Sequence, residues 1–265
     1  MPTLTTHIVL GSIASGKSTH VEQKYKSRRD ATHISWHDIG CEIREKLADT
    51  MPTDSDHDMR ALLNETVRLA RIKFFDELGK ALTQRVPTIV VDYPSFPASD
   101  WISQVAAASR AAGRDVVVEG LWVDPEIALR RRLQAFIEEC PISDQADVAA
   151  CLGLYREVHF PEFLHTCREM PGQFMAVASQ VDRAELYDNN AERRQPRLVA
   201  KWQSGRLQGS FDPAARKAFA RLSAVNPATA KFSATCNLSR GARGKVVCTL
   251  HVKTSGFYGA SSEPS

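Results

Sequence analysis

Gly11-Ser12-Ile13-Ala14-Ser15-Gly16-Lys17-Ser18-Thr19 is the stretch that decides the reading of this chain. It has the form G-x-x-x-x-G-K-S and follows the β-type run His7-Ile8-Val9-Leu10. Gly11 and Gly16 let the backbone wrap tightly enough for successive amide N–H groups to converge on phosphate oxygens. A helix starting there adds the positive end of its dipole. In such a loop Lys17 reaches the outer phosphates and the Ser18 hydroxyl completes a Mg²⁺ shell shared with the nucleotide. Thr19 opens a helix that the Glu-, Gln- and Lys-rich run to Arg28 continues. Strand, loop and helix in this order separate a nucleotide-binding loop from a Gly/Ser-rich surface turn with a solvated lysine. All nine residues are therefore candidate contacts to ATP or GTP.

Working outward, the pattern alternates. Residues 31–36 read as a second strand ending in His37-Asp38, and 39–47 as a short amphipathic helix. Apolar residues recur at helical spacing over 58–85, after which Pro87 leads into the β-branched strand 88–92. A helix over 101–112 stops at Gly113, and a fourth strand spans 115–123. Pro125 opens a helix over 126–138, and more helix runs from 144 to about 168 with a break expected at Pro161. Residues 184–187 read as a fifth strand and 198–202 as an edge hairpin partner. The fold class expected is α/β: a P-loop nucleotide-kinase-like three-layer sandwich with a mostly parallel central sheet. Ligands of such sheets sit at the carboxyl ends of the strands.

Composition sets the frame. With 265 residues, 43% hydrophobic and 25% charged, the chain is an ordinary globule able to bury a substantial core. Charge is uneven: residues 206–265 hold nine Lys/Arg against two Asp/Glu, while 1–205 hold 25 against 29. We divide the chain into a kinase-like domain, 1–205, and a basic extension, 206–265, read as solvated, with a helix over 213–225 and a strand over 246–252. The extension lacks the aromatic interleaving of a nucleic-acid module, so nucleic acid is not the expected partner. The six cysteines form no C-x-x-C pair and are expected as reduced thiols. His159, His165 and Cys167 are close in sequence, but their spacing fits no standard ligand set and reads as scattered helix-face residues. The first strand begins within a few residues and no apolar run approaches the ~20 residues that span a bilayer, so a soluble cytoplasmic protein is expected, without a membrane partner.

Three strand ends then gain meaning together: Ser12 to Ser18 after the first, Asp38 after the second and Asp92 after the third. Phosphoryl transfer needs a loop and Mg²⁺ to hold the donor, a carboxylate to receive the acceptor hydroxyl's proton, and cations for the developing charge. We assign Asp38 the base, with the competing role of N-cap for a helix beginning at Ile39. Asp92 closes an I-V-V-D strand in the manner of a Mg²⁺ ligand, in competition with Glu119 on the V-V-V-E strand. Arg130, Arg131, Arg132 and Arg156 are candidates for a lid over the phosphates, since the guanidinium fork binds phosphate oxygens in two places.

With these residues in place, the chain resembles the zeta-toxin family of P-loop kinases. The resemblance lies in G-S-I-A-S-G-K-S at 11–18, Asp38, V-D-P-E-I-A-L-R-R-R at 123–132 and A-E-L-Y-D-N-N at 184–190. It implies an ATP- or GTP- and Mg²⁺-dependent kinase that phosphorylates an alcohol, in the best-known members the 3′-hydroxyl of the sugar in UDP-N-acetylglucosamine. On that mapping Lys17 is the phosphate lysine, Asp38 the base, Arg132 and Arg156 the transition-state arginines, Asn189 a nucleotide contact, and Ser18 and Asp92 the metal residues. A neutralising antitoxin or chaperone-like protein is the partner it implies. The family's E-G after the third strand is here Asp92-Tyr93-Pro94, while E-G stands at 119–120. Alternatives left open are an NAD or other ribose kinase, a polynucleotide 5′-kinase, and a non-catalytic nucleotide-binding adaptor.

Overall fold

The computed structural model describes residues 3–51, 56–92, 99–140, 142–191, 195–240 and 246–258. Tyr93 and Pro94 lie outside them. Strands β1 (Thr5–Gly11), β2 (Ala31–Ser35), β3 (Thr88–Asp92), β4 (Asp115–Trp122), β5 (Arg183–Asp188), β6 (Arg197–Gln203) and β7 (Arg206–Gln208) form one sheet in the order β2-β3-β1-β4-β5-β6-β7. The pairs among β2, β3, β1, β4 and β5 are parallel, and β6 and β7 are added antiparallel. The expected α/β class and mostly parallel sheet are what the chain adopts.

Alternation along the strands gives the sheet two unlike faces. On one, Ile8, Leu10, Ile89, Val91, Val116 and Val118 pack with α3 (Asp56–Thr83), α4 (Ser99–Ala111) and α7 (Phe160–Ala178) in the largest core cluster. Phe74, Trp101 and Phe174 are its main aromatic members. Gly120 allows α7 to come close, because a Cβ there would run into the Phe174 ring. Helix was expected to stop near 168. It continues to Ala178 through Pro171, because Met170, Phe174 and Val177 carry the buried stripe onward.

The other face bears α1 (Lys17–Tyr25) over Val9, Val90 and Leu121, with Val21 and Tyr25 from the helix. Here the neighbours of those valines and leucine are polar. Glu119 is wholly buried, and its carboxylate receives His7 Nδ1 at 2.7 Å, His20 Nε2 at 2.7 Å and Lys24 Nζ at 2.8 Å. The Tyr25 hydroxyl donates to the same group. Burial alone would raise the Glu119 pKa, but hydrogen bonds from His20 and His7 and the charge of Lys24 outweigh it and hold the carboxyl below its usual range. Three of these partners belong to α1, so the helix that follows the phosphate loop is fastened to β4 by one carboxylate.

Beyond the sheet, α5 (Pro125–Glu139), α6 (Gln145–Leu154) and a π-helical turn (Tyr155–His159) lead into α7. The break expected at Pro161 is thus a widening of the helix just before it. Residues 206–258 differ from the solvated extension expected of them. β7 joins the sheet, and α8 (Pro213–Arg221) packs Phe219 against Trp122 and Phe174. The hairpin of β8 (Lys231–Arg240) and β9 (Val246–Ser255) lies on α5 and α6. Gln134 and Gln145 donate to the carbonyls of Cys248 and Cys236, and Phe232 enters the second core cluster beside Tyr155 and Phe160. Cys236 and Cys248 form a disulfide, which corrects the expectation of reduced thiols for this pair. The antiparallel register brings their Cα atoms to 5.6 Å, a contact invisible until 231–240 is recognised as a strand.

The Glu119 network yields a stability prediction. Its carboxyl binds protons less readily in the fold than in the unfolded chain, so its contribution is present above the ordinary carboxyl pKa of 4.5 and fades as the pH falls below it. Glu119→Ala, which takes the buried partner from the His7 and His20 imidazoles and leaves Lys24 only Glu185 and the Tyr187 hydroxyl, is expected to lower the unfolding free energy by about 3 kcal/mol at pH 7. Urea denaturation at pH 7 and at pH 3 measures it, with a smaller difference expected at the lower pH.

Candidate active site at the phosphate loop

The loop between β1 and α1 holds two residues in left-handed conformations, Ala14 (φ 59°) and Gly16 (φ 88°). For Ala14 that conformation costs about 1 kcal/mol or more, strain of the kind found where backbone is shaped for a ligand. Gly16 is the N-cap position of α1 and supplies no capping side chain, so the first amides of the helix stay available to an anion. Glycine is also demanded by space, because a Cβ at 16 would strike the Asn189 side chain. Asn189 Nδ2 donates to the Ser15 carbonyl at 2.7 Å, its backbone N–H donates to the Trp122 carbonyl at 2.9 Å, and Arg131 donates to its carbonyl at 3.1 Å. Asn189, assigned to the nucleotide from the sequence, braces the loop against the end of β4.

Lys17 Nζ lies across the loop, donating to the carbonyls of Gly11 (2.9 Å) and Ser12 (3.1 Å). Desolvation pulls its pKa down to about 8, against the raising influence of Asp92 and Cys167. Cys167, on α7, lies behind the loop, and burial pushes its thiol up to about 12 against hydrogen bonds from Ser12 and Thr166.

A cavity of about 450 Å³ opens from this loop. Ile13, Ala14, Lys17 and Ser18 form one wall, Arg131, Arg132, Ala135 and Glu139 of α5 another, and Tyr155, His159 and Glu162 a third; His37 and Asp92 complete it. Asp92 is the last residue of β3 and 4% exposed; His33 Nε2 stands 3.4 Å from its Oδ2, while Oδ1 has no hydrogen-bond partner among the described residues. An orphaned carboxylate oxygen sharing a cavity with the Ser18 hydroxyl fits a Mg²⁺ ion that arrives on a nucleotide. Such an ion keeps several waters and takes few protein ligands. Glu119, the alternative acid, sits in the middle of β4 with its oxygens taken by the α1 network, and it does not line the cavity.

Other expected residues are placed less centrally. Asp38 is exposed in the first turn of α2 (Trp36–Ala48) and does not line the cavity, although its neighbour His37 does. The helix begins three residues before the expected Ile39, so the N-cap is Ser35, whose hydroxyl receives the Asp38 N–H at 3.2 Å. Arg132 lines the cavity, 3.7 Å from Glu139. Arg130 is exposed, with Nε on the Glu126 carbonyl at 3.3 Å. Arg156 is not brought to the others: the π turn leaves it on the surface, its guanidinium 5.1 Å from the Phe232 ring centre. His159 is in the cavity wall and Cys167 behind the loop, and among the described residues no three His, Cys, Asp or Glu side chains cluster as a metal site. Sequence reasoning missed His37, Tyr155 and His159 as cavity residues. The one available signal was the helical i, i+4 spacing of the last two.

Loop, sheet and cavity together define a P-loop kinase-like α/β fold. No known protein family profile matches the chain, and no curated protein is similar to it at the sequence level. Among solved structures it is similar to a chain of the AvrRxo1-ORF1:AvrRxo1-ORF2 complex with sulphate ions. That match has a TM-score of 0.51 at 17% identity and covers 82% of this chain and 64% of the other. The native form of that complex gives 0.51 at 18% identity, over 84% and 66%. A structure of the PezAT chromosomal toxin–antitoxin system of Streptococcus pneumoniae gives 0.44 at 12% identity, over 76% and 72%. The likeness to the AvrRxo1 structures is one of fold, and the chain spans about two thirds of the length of the chain it matches. No described helix is long and apolar enough to cross a membrane.

Two results are expected from the loop. Gly16→Ala, which forces a Cβ onto Asn189, should abolish triphosphate binding in calorimetric titration while leaving the fold intact by circular dichroism. In the native chain, affinity for tripolyphosphate should fall as the pH rises through about 8, where Lys17 loses its proton, and Lys17→Ala should remove that dependence.

Proposed function

We propose that this protein is a nucleoside-triphosphate- and Mg²⁺-dependent kinase that transfers the γ-phosphate to an alcohol of a nucleotide-linked small molecule. The observation that carries this reading is one cavity joining the phosphate loop, Lys17 and Ser18 to Asp92, whose Oδ1 has no partner among the described residues, and to Arg131 and Arg132. The loop amides and Lys17 hold the β- and γ-phosphates, Ser18 and Asp92 hold the metal, and Arg132 neutralises charge on the transferred group. When bound, Mg²⁺ supplies further charge neutralisation between the phosphates. Asp38 receives the proton of the acceptor hydroxyl. A second reading gives that proton to His37, favoured because His37 lines the cavity and Asp38 does not.

UDP-N-acetylglucosamine is the acceptor first suggested by the zeta-toxin resemblance, and the ribose of NAD the second. A polynucleotide 5′-kinase is disfavoured by the acidic balance of residues 1–205, where 29 Asp/Glu face 25 Lys/Arg. A neutralising antitoxin or chaperone-like partner belongs to the same proposal, in keeping with the AvrRxo1-ORF1 structures being complexes with AvrRxo1-ORF2.

Incubation of the purified chain with Mg²⁺-ATP or Mg²⁺-GTP and UDP-sugars, NAD, nucleosides or 5′-hydroxyl oligonucleotides should give a mass increase of one phosphate on one of the first two classes. Lys17→Ala and Asp92→Asn should each lower the rate about 10²-fold or more. Replacing the base, by Asp38→Asn or His37→Asn, should cost about 10²- to 10⁴-fold, and the larger loss identifies it. Tight ATP binding with no transfer to any member of the panel would instead mark a non-catalytic adaptor.

A further inference from the structure

The cavity has walls of different chemistry. The phosphate loop and α5 bring Lys17, Arg131 and Arg132, whereas the π turn and the start of α7 bring Tyr155, His159 and Glu162, with Glu139 of α5 beside them. The π turn sets this arrangement. It puts the Tyr155 and His159 rings side by side, centroids 5.8 Å apart, each against Phe136 at 5.3 and 5.4 Å, and it turns Arg156 away onto Phe232.

Two observations on this wall call for a ligand. Tyr155 is 1% exposed and its hydroxyl has no hydrogen-bond partner among the described residues, an arrangement that is unfavourable unless something else supplies one. Single π turns also collect at functional sites, where a widened helix re-aims side chains. The chemistry of the wall names the ligand. Two carboxylates at the rim accept hydrogen bonds from hydroxyls and repel further phosphate, and a tyrosine hydroxyl and an imidazole add donor and acceptor capacity. Burial and the charge of Arg132 lower the His159 pKa, against Glu162 and Glu139, which keeps the imidazole neutral and able to accept.

We propose that this wall is a sugar subsite, in which Tyr155, His159 and Glu162 hydrogen-bond the hydroxyls of a pentose or hexose ring carried by a substrate. The inference rests on the kinase reading above and adds to it. Two sources share the chemistry, the ribose of the donor nucleotide and the sugar of the acceptor.

Calorimetric titration of the native chain, Tyr155→Phe and His159→Gln with tripolyphosphate, ATP, UDP-N-acetylglucosamine and NAD separates them. Tripolyphosphate, which has no sugar, should bind all three proteins alike. A sugar-bearing ligand should bind both variants about three- to ten-fold more weakly. A loss confined to ATP assigns the donor ribose, and a loss on UDP-N-acetylglucosamine or NAD with ATP unchanged assigns the acceptor sugar. Tyr155→Phe removes an unsatisfied hydroxyl and keeps the ring, so its melting temperature should be unchanged or higher, which separates ligand contact from a packing role. Equal affinities of all four ligands across the three proteins would overturn the subsite, as would an equal loss on tripolyphosphate. If the native chain does not bind tripolyphosphate at all, or Lys17→Ala binds it as well, the phosphate-loop reading itself falls.

Discussion

A carboxylate with no access to water holds the loop between β1 and α1 in place. Glu119 stands in the middle of β4, where His20, Lys24 and Tyr25 of α1 meet it from above and His7 meets it from β1. A charge in that position is tolerable only while its partners remain, and three of the four lie within the nine residues of α1. The helix start that offers its amides to phosphate is therefore positioned by an electrostatic anchor at its far end. Asn189 completes the arrangement from the side by fixing the Ser15 carbonyl.

The two faces of the sheet divide the work. The face under α3, α4 and α7 is hydrocarbon and aromatic, and supplies burial. The α1 face exchanges part of that burial for polar partners, and at the carboxyl ends of its strands the exchange turns into chemistry. Asp92 lies in register with Val9 and Ser35, so its carboxylate and the capping serine before α2 share one level of the sheet, and β1 runs two residues further before its loop begins.

Much of this was legible in the sequence. Gly11 to Ser18 announces its own geometry, because the spacing of two glycines, a lysine and a serine has a mechanical meaning that needs no partner from elsewhere. The β-branched runs at 88–92 and 115–122 were recognisable for a similar reason: a strand covered on both faces is apolar along its length. What escaped depended on distance along the chain. Glu119 reads as a candidate metal ligand until His7, His20, Lys24 and Tyr25 are seen around it. The cysteines at 236 and 248 read as separate thiols until β8 pairs with β9. Arg156 and His159 lie three residues apart, and only the π turn decides which of them faces the cavity.

The β8–β9 hairpin lies behind the π turn, with Phe232 against Tyr155 and Phe160. The two sides of the cavity are thus drawn from distant parts of the chain, the loop wall from the turn after β1 and the backing of the opposite wall from β8 and β9. A change confined to the hairpin therefore reaches the cavity through Phe232 and Tyr155 and leaves the loop and its Glu119 anchor untouched.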